Sequence, residues 1–448
     1  MNLSSHRLSR LPLACSLALA VLLAACQEAS TTNTVDGQQP VTTLSPAAAV
    51  GKLMFSDTAL SASGQQSCAT CHDASHGFTA NDGLPVPMGG VHMNLQGLRN
   101  TPTIMYASYT PPFTLAGLPD GPGQPAQPAG TPTGGFFRDG RANTLAEQAV
   151  MPFLGEFEMA NANAAEVVTR LQGRPYLAQF TAVYGAGILN DPDATLAAMG
   201  RAIAAFETED PVFHPFSSKY DSFTRGQAQL STQELNGMRL FNDPNKGNCA
   251  ACHVSTPVGG VPALFTDHTY DNVGVPRNWA IAFNNDGTTL PDYITANGTN
   301  LGAPNHRYYD LGLCGPTRSD LAGDPTQCGR FKVPTLRNIA LKQHYFHNGV
   351  FNNLGDVVNW YVTRDLNPTH WYTTSDGQTP DKQYNELPQR YDGNVNREEV
   401  PYNVEGGQHL NAAEMKDLIV YLCTLTDGYD AKNPSAYPYP DQCKAALR

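Results

Sequence analysis

Positive charge is scarce in this sequence of 448 residues. It has 28 lysines and arginines against 40 aspartates and glutamates, and its formal net charge is −12 at pH 7. Because nucleic-acid-binding domains carry a clustered basic face, and no run of basic residues occurs here, we expect no nucleic-acid partner. Long apolar runs are missing after residue 25, which argues against a membrane-spanning helix in the rest of the sequence.

The first 25 residues have the pattern of an export signal. Two arginines precede an apolar stretch at 11–25 that is too short to span a membrane. The stretch ends in Leu-Ala-Ala before Cys26, like a bacterial lipobox. We therefore expect residues 1–25 to be a lipoprotein signal peptide and Cys26 to be lipidated, which makes the protein periplasmic and membrane-anchored only through lipid. An ordinary cleavage site with a chance cysteine is the alternative.

Two Cys-x-x-Cys-His motifs carry most of the chemical information. They are Cys68-Ala-Thr-Cys71-His72 and Cys249-Ala-Ala-Cys252-His253. In such a motif both thiols bond covalently to haem vinyl groups, and the histidine binds the iron. The sequence therefore predicts two covalently bound haem c groups. A zinc site would need further cysteine or histidine ligands close by, and none flank either motif; a redox-active thiol pair is the other alternative.

The surroundings of the two motifs repeat. Gly-Lys-Leu-Met-Phe at 51–55 corresponds to Gly-Met-Arg-Leu-Phe at 237–241, and 136–145 corresponds to 345–354. Such a repeat implies two copies of one domain. The predicted fold is mainly α, with two duplicated cytochrome-c-like haem domains and long irregular loops.

We place the domain boundaries from composition. Residues 26–46 are polar and predict a flexible tether. The N-terminal haem domain is expected at 47–215 and the C-terminal one at 216–448, because a proline at 215 marks a linker. Residues 110–135 are dense in proline and glycine and predict a long irregular loop.

Four cysteines remain after the signal, the lipid site and the haem motifs are assigned. They are Cys314, Cys328, Cys423 and Cys443. An oxidising periplasm favours two disulfides, and three pairings are open. Proximity in sequence favours Cys314 with Cys328 and Cys423 with Cys443.

The two halves of the repeat differ at two positions that could carry acid–base chemistry. The first half has Gln148 and Glu158, and the matching positions in the second half are Val357 and Asn367. Cleavage of peroxide at haem iron needs a group that moves a proton between the two oxygens, and a carboxylate can do so. We therefore predict that Glu158 and Gln148 are catalytic, with a solvated helix-end carboxylate as the alternative for Glu158.

With these motifs, Asp-Gly-Arg at 139–141 and Phe-Lys-Val-Pro-Thr-Leu-Arg-Asn at 331–338, the chain resembles bacterial di-haem cytochrome c peroxidases, the family that includes the MauG-type enzymes. The resemblance runs from about residue 51 to 427. It implies that the His72 haem reacts with hydrogen peroxide and that the His253 haem stores and relays electrons. It also implies a periplasmic cytochrome c or cupredoxin as electron donor, and family members are often homodimers.

Four further residues are singled out by this resemblance. Asn100 takes the place of a side-chain ligand for Ca²⁺, with a turn residue as the alternative. Arg138 replaces a tryptophan that often relays electrons between the haems, and pairing with a haem propionate is a second role for it. His92 is a candidate distal ligand of the first haem. The second haem lacks a methionine where the resemblance would place one, and MauG-type relatives use tyrosine, so Tyr309 is a candidate sixth ligand.

Three functions follow. The leading hypothesis is a periplasmic peroxidase that reduces hydrogen peroxide to water with electrons from a small redox protein. The second is a MauG-like enzyme that uses peroxide to oxidise a protein or another substrate through high-valent haems. The third is a di-haem electron carrier with no catalytic activity.

Overall fold

The computed structural model describes residues 43–285, 308–403, 405–437 and 439–446. The predicted signal peptide, the lipidation site Cys26 and most of the predicted tether lie outside these residues. The α-helices are α1 Pro46–Phe55, α2 Cys68–Cys71, α3 Leu145–Leu154, α4 Ala164–Gln172, α5 Leu177–Tyr184, α6 Pro192–Glu209, α7 Lys219–Thr224, α8 Thr232–Asn242, α9 Leu354–Thr363, α10 Pro368–Trp371, α11 Ala412–Cys423 and α12 Asp441–Ala446.

Strands contribute little to the described residues. Met88–Gly89 (β1) pairs antiparallel with Leu95–Gln96 (β2), and Tyr270–Asp271 (β3) pairs antiparallel with Phe331–Lys332 (β4). The proline- and glycine-rich segment at 110–135 contains isolated bridges and no helix or longer strand. The mainly helical fold class with long irregular loops is confirmed.

Local capping sets where the helices begin. Ser45 caps α1, and its backbone N–H and hydroxyl both donate to the Glu209 carboxylate at 2.8 Å. The last two residues of the predicted tether therefore belong to the fold. Ser231 with Glu234 forms a reciprocal capping box at the start of α8, which supplies partners for backbone N–H groups that a helix cannot pair internally.

The helix before each haem motif packs on a later helix of its own half in the same way. A Cβ on Gly51 of α1 would overlap the Ala202 carbonyl oxygen of α6, and a Cβ on Gly237 of α8 would overlap the Asp417 carbonyl oxygen of α11. Glycine lets the two backbones approach this closely, because it has no side chain. The repeat in sequence is therefore a repeat in packing.

Two hydrophobic cores follow the repeat. One is built from residues between Ala48 and Phe213 together with Leu264, and the other from residues between Tyr220 and Cys443. The described residues from 44 onward nevertheless form one compact unit.

Two disulfides lie in the second half. Cys314 is bonded to Cys328, and Cys423 at the end of α11 is bonded to Cys443 of α12. This is the pairing that proximity in sequence favours. Within the part of the chain that the structure describes, no helix has the length and apolar character needed to cross a bilayer.

Candidate active site

The histidines of the two Cys-x-x-Cys-His motifs are held identically. His72 Nδ1 lies 2.9 Å from the Phe78 carbonyl oxygen, and His253 Nδ1 lies 2.9 Å from the Phe265 carbonyl oxygen. A carbonyl can only accept, so Nδ1 carries the proton and Nε2 keeps its lone pair. Burial lowers the pKa of each imidazole to about 4. Both rings are therefore neutral and suited to bind a metal through Nε2.

The four motif cysteines are unpaired in the structure. Burial raises the pKa of Cys68 to about 12, of Cys71 to about 11 and of Cys249 to about 12, and burial also raises that of Cys252. A redox-active pair needs a thiol with a lowered pKa, so these sites do not favour that alternative. No group of three or more His, Cys, Asp or Glu side chains in the described ranges is placed to hold a metal ion, as a zinc site would require.

One continuous cavity connects the motifs. Its volume is about 490 Å³, and its wall includes Cys71 and His72 at one end and Cys252 and His253 at the other. Two neutral imidazoles and three of the four free motif thiols, those of Cys71, Cys249 and Cys252, therefore line a single, mostly apolar space. This donor set fits one haem c at each motif.

Three cationic side chains on the cavity wall have no carboxylate partner among the described residues. They are Arg138, Lys332 and Lys342. Burial lowers the pKa of Arg138 to about 10 and that of Lys332 to about 7. Buried cations are costly unless an anion compensates them, and each haem carries two propionate carboxylates. These three residues therefore fit the propionates of the two haems; the sequence pointed only to Arg138.

Glu158 and Gln148 both line the cavity. Many protein atoms lie around Glu158, but the residue remains exposed and borders this space. Burial raises the pKa of its carboxyl group, and Arg141 opposes that effect. In the second half, Val357 lines the cavity at the position matching Gln148, while Asn367 does not line it. Both members of the Glu158 and Gln148 pair therefore line the cavity, whereas only one of the two matching residues in the second half does so.

The backbone around Glu158 is fixed while its carboxylate is free. The Glu158 N–H donates to the Gly155 carbonyl at 2.9 Å, and the Gly90 N–H donates to the Glu158 carbonyl at 2.9 Å. No hydrogen bond from the described residues reaches the carboxylate. Such a group can accept a proton from a small molecule in the cavity without first breaking an internal bond.

Arg141, which tunes Glu158, is itself oriented by a buried ion network. Arg141 lies 2.9 Å from Asp139, and Arg99 lies 2.8 Å from Asp139 and 2.6 Å from Asp310. Burial would raise the pKa of Asp139, but Arg141 and Arg99 hold it below its usual range. The network joins the Asp-Gly-Arg motif of the first half to the second half.

Comparison with known proteins places this geometry in a family. Residues 45–229 match the family model described as di-haem cytochrome c peroxidase. The chain is 35% identical to the methylamine utilization protein MauG of Paracoccus denitrificans, over 78% of this chain and 81% of that protein. This chain belongs to the di-haem cytochrome c peroxidase family. Family membership confirms the resemblance stated from the motifs.

Two further relatives support the assignment. The cytochrome c551 peroxidase of Nitrosomonas europaea is 30% identical over 73% of this chain and 78% of that protein. The crystal structure of the diheme peroxidase BthA from Burkholderia thailandensis superposes with a TM-score of 0.73 at 33% identity, covering 87% of this chain and 88% of that chain.

Two predicted ligands are not brought to the cavity of this di-haem peroxidase family member. His92 is exposed on the turn between β1 and β2 and is absent from the cavity wall. Tyr309 also lies off the wall, with its ring 5.3 Å from the Arg277 guanidinium. Both predictions rest on resemblance and chain order, and neither residue borders the cavity in this structure.

Sequence reasoning missed two tyrosines near the second motif. Tyr361 and Tyr402 both line the cavity, with their rings 5.7 Å apart. Tyr361 occupies the position that matches Pro152 in the repeat, so an alignment of the two halves over the whole of α3 and α9 could have found it. Tyr402 comes from a segment with no counterpart in the repeat.

The neighbours of Asn100 do not suit the predicted calcium ion. The Asn100 side-chain oxygen accepts hydrogen bonds from Lys342 Nζ at 3.0 Å and from the Arg138 guanidinium at 3.2 Å. Ca²⁺ needs oxygen lone pairs that are free and preferably anionic. Two cationic donors on one oxygen are the opposite arrangement, so these residues do not fit a calcium ion.

Proposed function

We propose that this protein reduces hydrogen peroxide to water at the haem held by the first Cys-x-x-Cys-His motif. The observation that carries this is the pair Glu158 and Gln148 on the cavity wall of one half only. The overall reaction is H₂O₂ + 2 H⁺ + 2 e⁻ → 2 H₂O. The bound haem would supply the electrons and the iron at which the peroxide bond breaks.

Glu158, Gln148 and Arg141 have different roles in this reaction. Glu158 takes a proton from the oxygen nearer the iron and returns it to the departing oxygen, which then leaves as water. Gln148 orients the peroxide with its amide. Arg141 lowers the pKa of Glu158 against the effect of burial and so keeps a share of this carboxylate ionised.

Covalent attachment of both haems belongs to the proposal. Its support is the matched His72 and His253 geometry beside free thiols. Replacing Cys249 and Cys252 together with alanine should leave one covalent haem per chain, and intact mass spectrometry with a denaturing haem stain reads this directly. Two covalent haems in that variant would contradict the assignment.

The decisive experiment on activity is Glu158→Gln. The amide keeps the shape and removes the base, so we expect peroxide turnover to fall about 100- to 10,000-fold. Glu147→Gln is the matched control, because Glu147 lies on α3, the helix that precedes Glu158, accepts from the Asn143 N–H at 2.7 Å and does not line the cavity. Unchanged turnover in Glu158→Gln would instead favour the electron carrier, provided the wild type reacts no faster than free haem.

The source of electrons separates the two enzymatic hypotheses. In the leading one, a periplasmic cytochrome c or cupredoxin reduces the haem of the second motif, and that haem supplies the first. The MauG-like alternative, oxidation of a protein or other substrate, is favoured by Tyr361 and Tyr402, since phenols at a haem pocket can be oxidised. Peroxide consumption by the fully oxidised protein without an added donor would support the alternative, and a strict need for prior reduction would support the peroxidase.

Export, lipidation and association complete the proposal. The supporting pattern is the apolar signal that ends just before Cys26. Cys26→Ala should release the mature protein from the membrane fraction into the periplasmic fraction. Light scattering of the purified soluble form distinguishes the homodimer expected from the family resemblance from a monomer.

A further inference from the structure

Two cationic side chains fill the oxygen acceptors around Asn100. Lys342 Nζ lies 3.0 Å from Asn100 Oδ1 and 3.0 Å from the Thr101 carbonyl oxygen. The Arg138 guanidinium lies 3.2 Å from Asn100 Oδ1 and 3.1 Å from the Asn100 carbonyl oxygen. These three oxygens therefore each already accept a hydrogen bond from a basic group.

These contacts cross between the two halves of the chain. Lys342 follows the short helical turn Ile339–Leu341 of the second half, and Asn100 and Thr101 belong to the first. The Asn100 N–H also donates to the His347 carbonyl at 2.7 Å. Asn100 is 3% exposed, so the link lies in the interior.

We propose that the Lys342 amine holds the position at Asn100 that a divalent metal would hold. The amine ties the two halves together and makes the protein independent of calcium. A metal ion there would have to displace the amine and then lie beside Arg138, with no carboxylate among the described residues to offset the repulsion. Calcium sites gain affinity from anionic ligands, and this one offers only neutral oxygens.

The amine does this in either charge state. Burial and the neighbouring Arg138 lower the pKa of Lys342 well below its ordinary value. An uncharged amine still directs N–H bonds at both oxygens and still fills the space, and bound haem propionates would favour the charged form.

The first test needs no variant. The purified protein, loaded with haem, is treated with excess EGTA or excess CaCl₂, desalted, and analysed for calcium by mass spectrometry and for thermal unfolding by circular dichroism. We expect no stoichiometric calcium and one unfolding temperature for both treatments. Retention of one calcium ion per chain, with a lower unfolding temperature after EGTA, overturns the proposal.

The second test removes the amine. Lys342→Ala should lower the unfolding temperature in EGTA by at least about 3 °C. Added CaCl₂ should not restore it, because Arg138 still donates to Asn100 Oδ1 and no carboxylate among the described residues offsets its charge. Lys432→Ala is the control, since Lys432 is an exposed lysine in the same half. An unfolding temperature in Lys342→Ala equal to that of the wild type overturns the proposal. If this variant does not fold, Lys342→Met replaces it, and the metal analysis of the wild type decides independently. None of these readouts depends on peroxide turnover.

Discussion

Replacing Gly155 with alanine should misplace the Glu158 carboxylate without unfolding the protein. Gly155 caps α3 with φ −65° and ψ 121°, a conformation open to alanine. The added Cβ would overlap Oε2 of Glu158 and lie 3.1 Å from its Cδ. Ordinary carbon contacts are about 3.5–4.0 Å, so the carboxyl group must move by roughly 1 Å. A displacement of that size in a reacting group costs about 100-fold in rate, or about 2.7 kcal/mol.

The assay is steady-state peroxide reduction with a reduced cytochrome c as donor, beside thermal unfolding of each variant. Gly173→Ala is the matched control, because Gly173 also caps a helix, with φ −83°, and its added Cβ would meet its nearest neighbour, the Arg170 carbonyl oxygen, at 3.5 Å. If Gly155 acts through Glu158, Gly155→Ala should add little to the loss in Glu158→Gln. Wild-type turnover in a folded Gly155→Ala protein would refute the placement of the carboxylate.

Three other predictions concern the surroundings. Arg141→Gln removes the charge that lowers the pKa of Glu158, so the acid limb of the pH–rate profile should move to higher pH; an unmoved limb would show that another group controls it. Asp221 contacts the buried Arg337 guanidinium at 2.8 and 2.9 Å, so Asp221→Asn leaves a buried cation without its anion. Urea unfolding should show that the free energy of unfolding falls by about 3–5 kcal/mol. Cys443→Ser removes the disulfide between two cysteines that are 20 residues apart and should lower the free energy of unfolding by about 3 kcal/mol. Added reductant should then have no further effect through this bond.

Short-range sequence patterns predicted the features that depend on backbone contacts between residues close in sequence or repeated in both halves. The capping box at Ser231 and Glu234 begins a helix as the pattern predicts, since the bonding groups are three residues apart. The glycines at 51 and 237 recur at matching helix crossings, because the repeat preserves both the contact and its steric requirement. The mainly helical fold and the family were therefore predictable.

The predicted sixth haem ligands and the predicted calcium ligand depend instead on contacts between distant parts of the chain. His92 and Tyr309 were chosen from chain order and resemblance, yet which side chain reaches a cavity depends on how loops pack from both halves. Asn100 was chosen in the same way, without knowledge that Lys342, 242 residues away, donates to its side-chain oxygen. Long-range contacts of this kind leave no periodic trace in a sequence.

The sequence by itself determined the two haem motifs, the duplication and the one-sided pair Glu158 and Gln148, because each is a matter of residue type and spacing along the chain. Only the tertiary structure decided that both motifs open into one cavity, that three cations lie on its wall without carboxylate partners among the described residues, and that Lys342 holds the Asn100 oxygens. The physical reason is that charge compensation and metal binding depend on distances between groups, which folding sets across hundreds of residues.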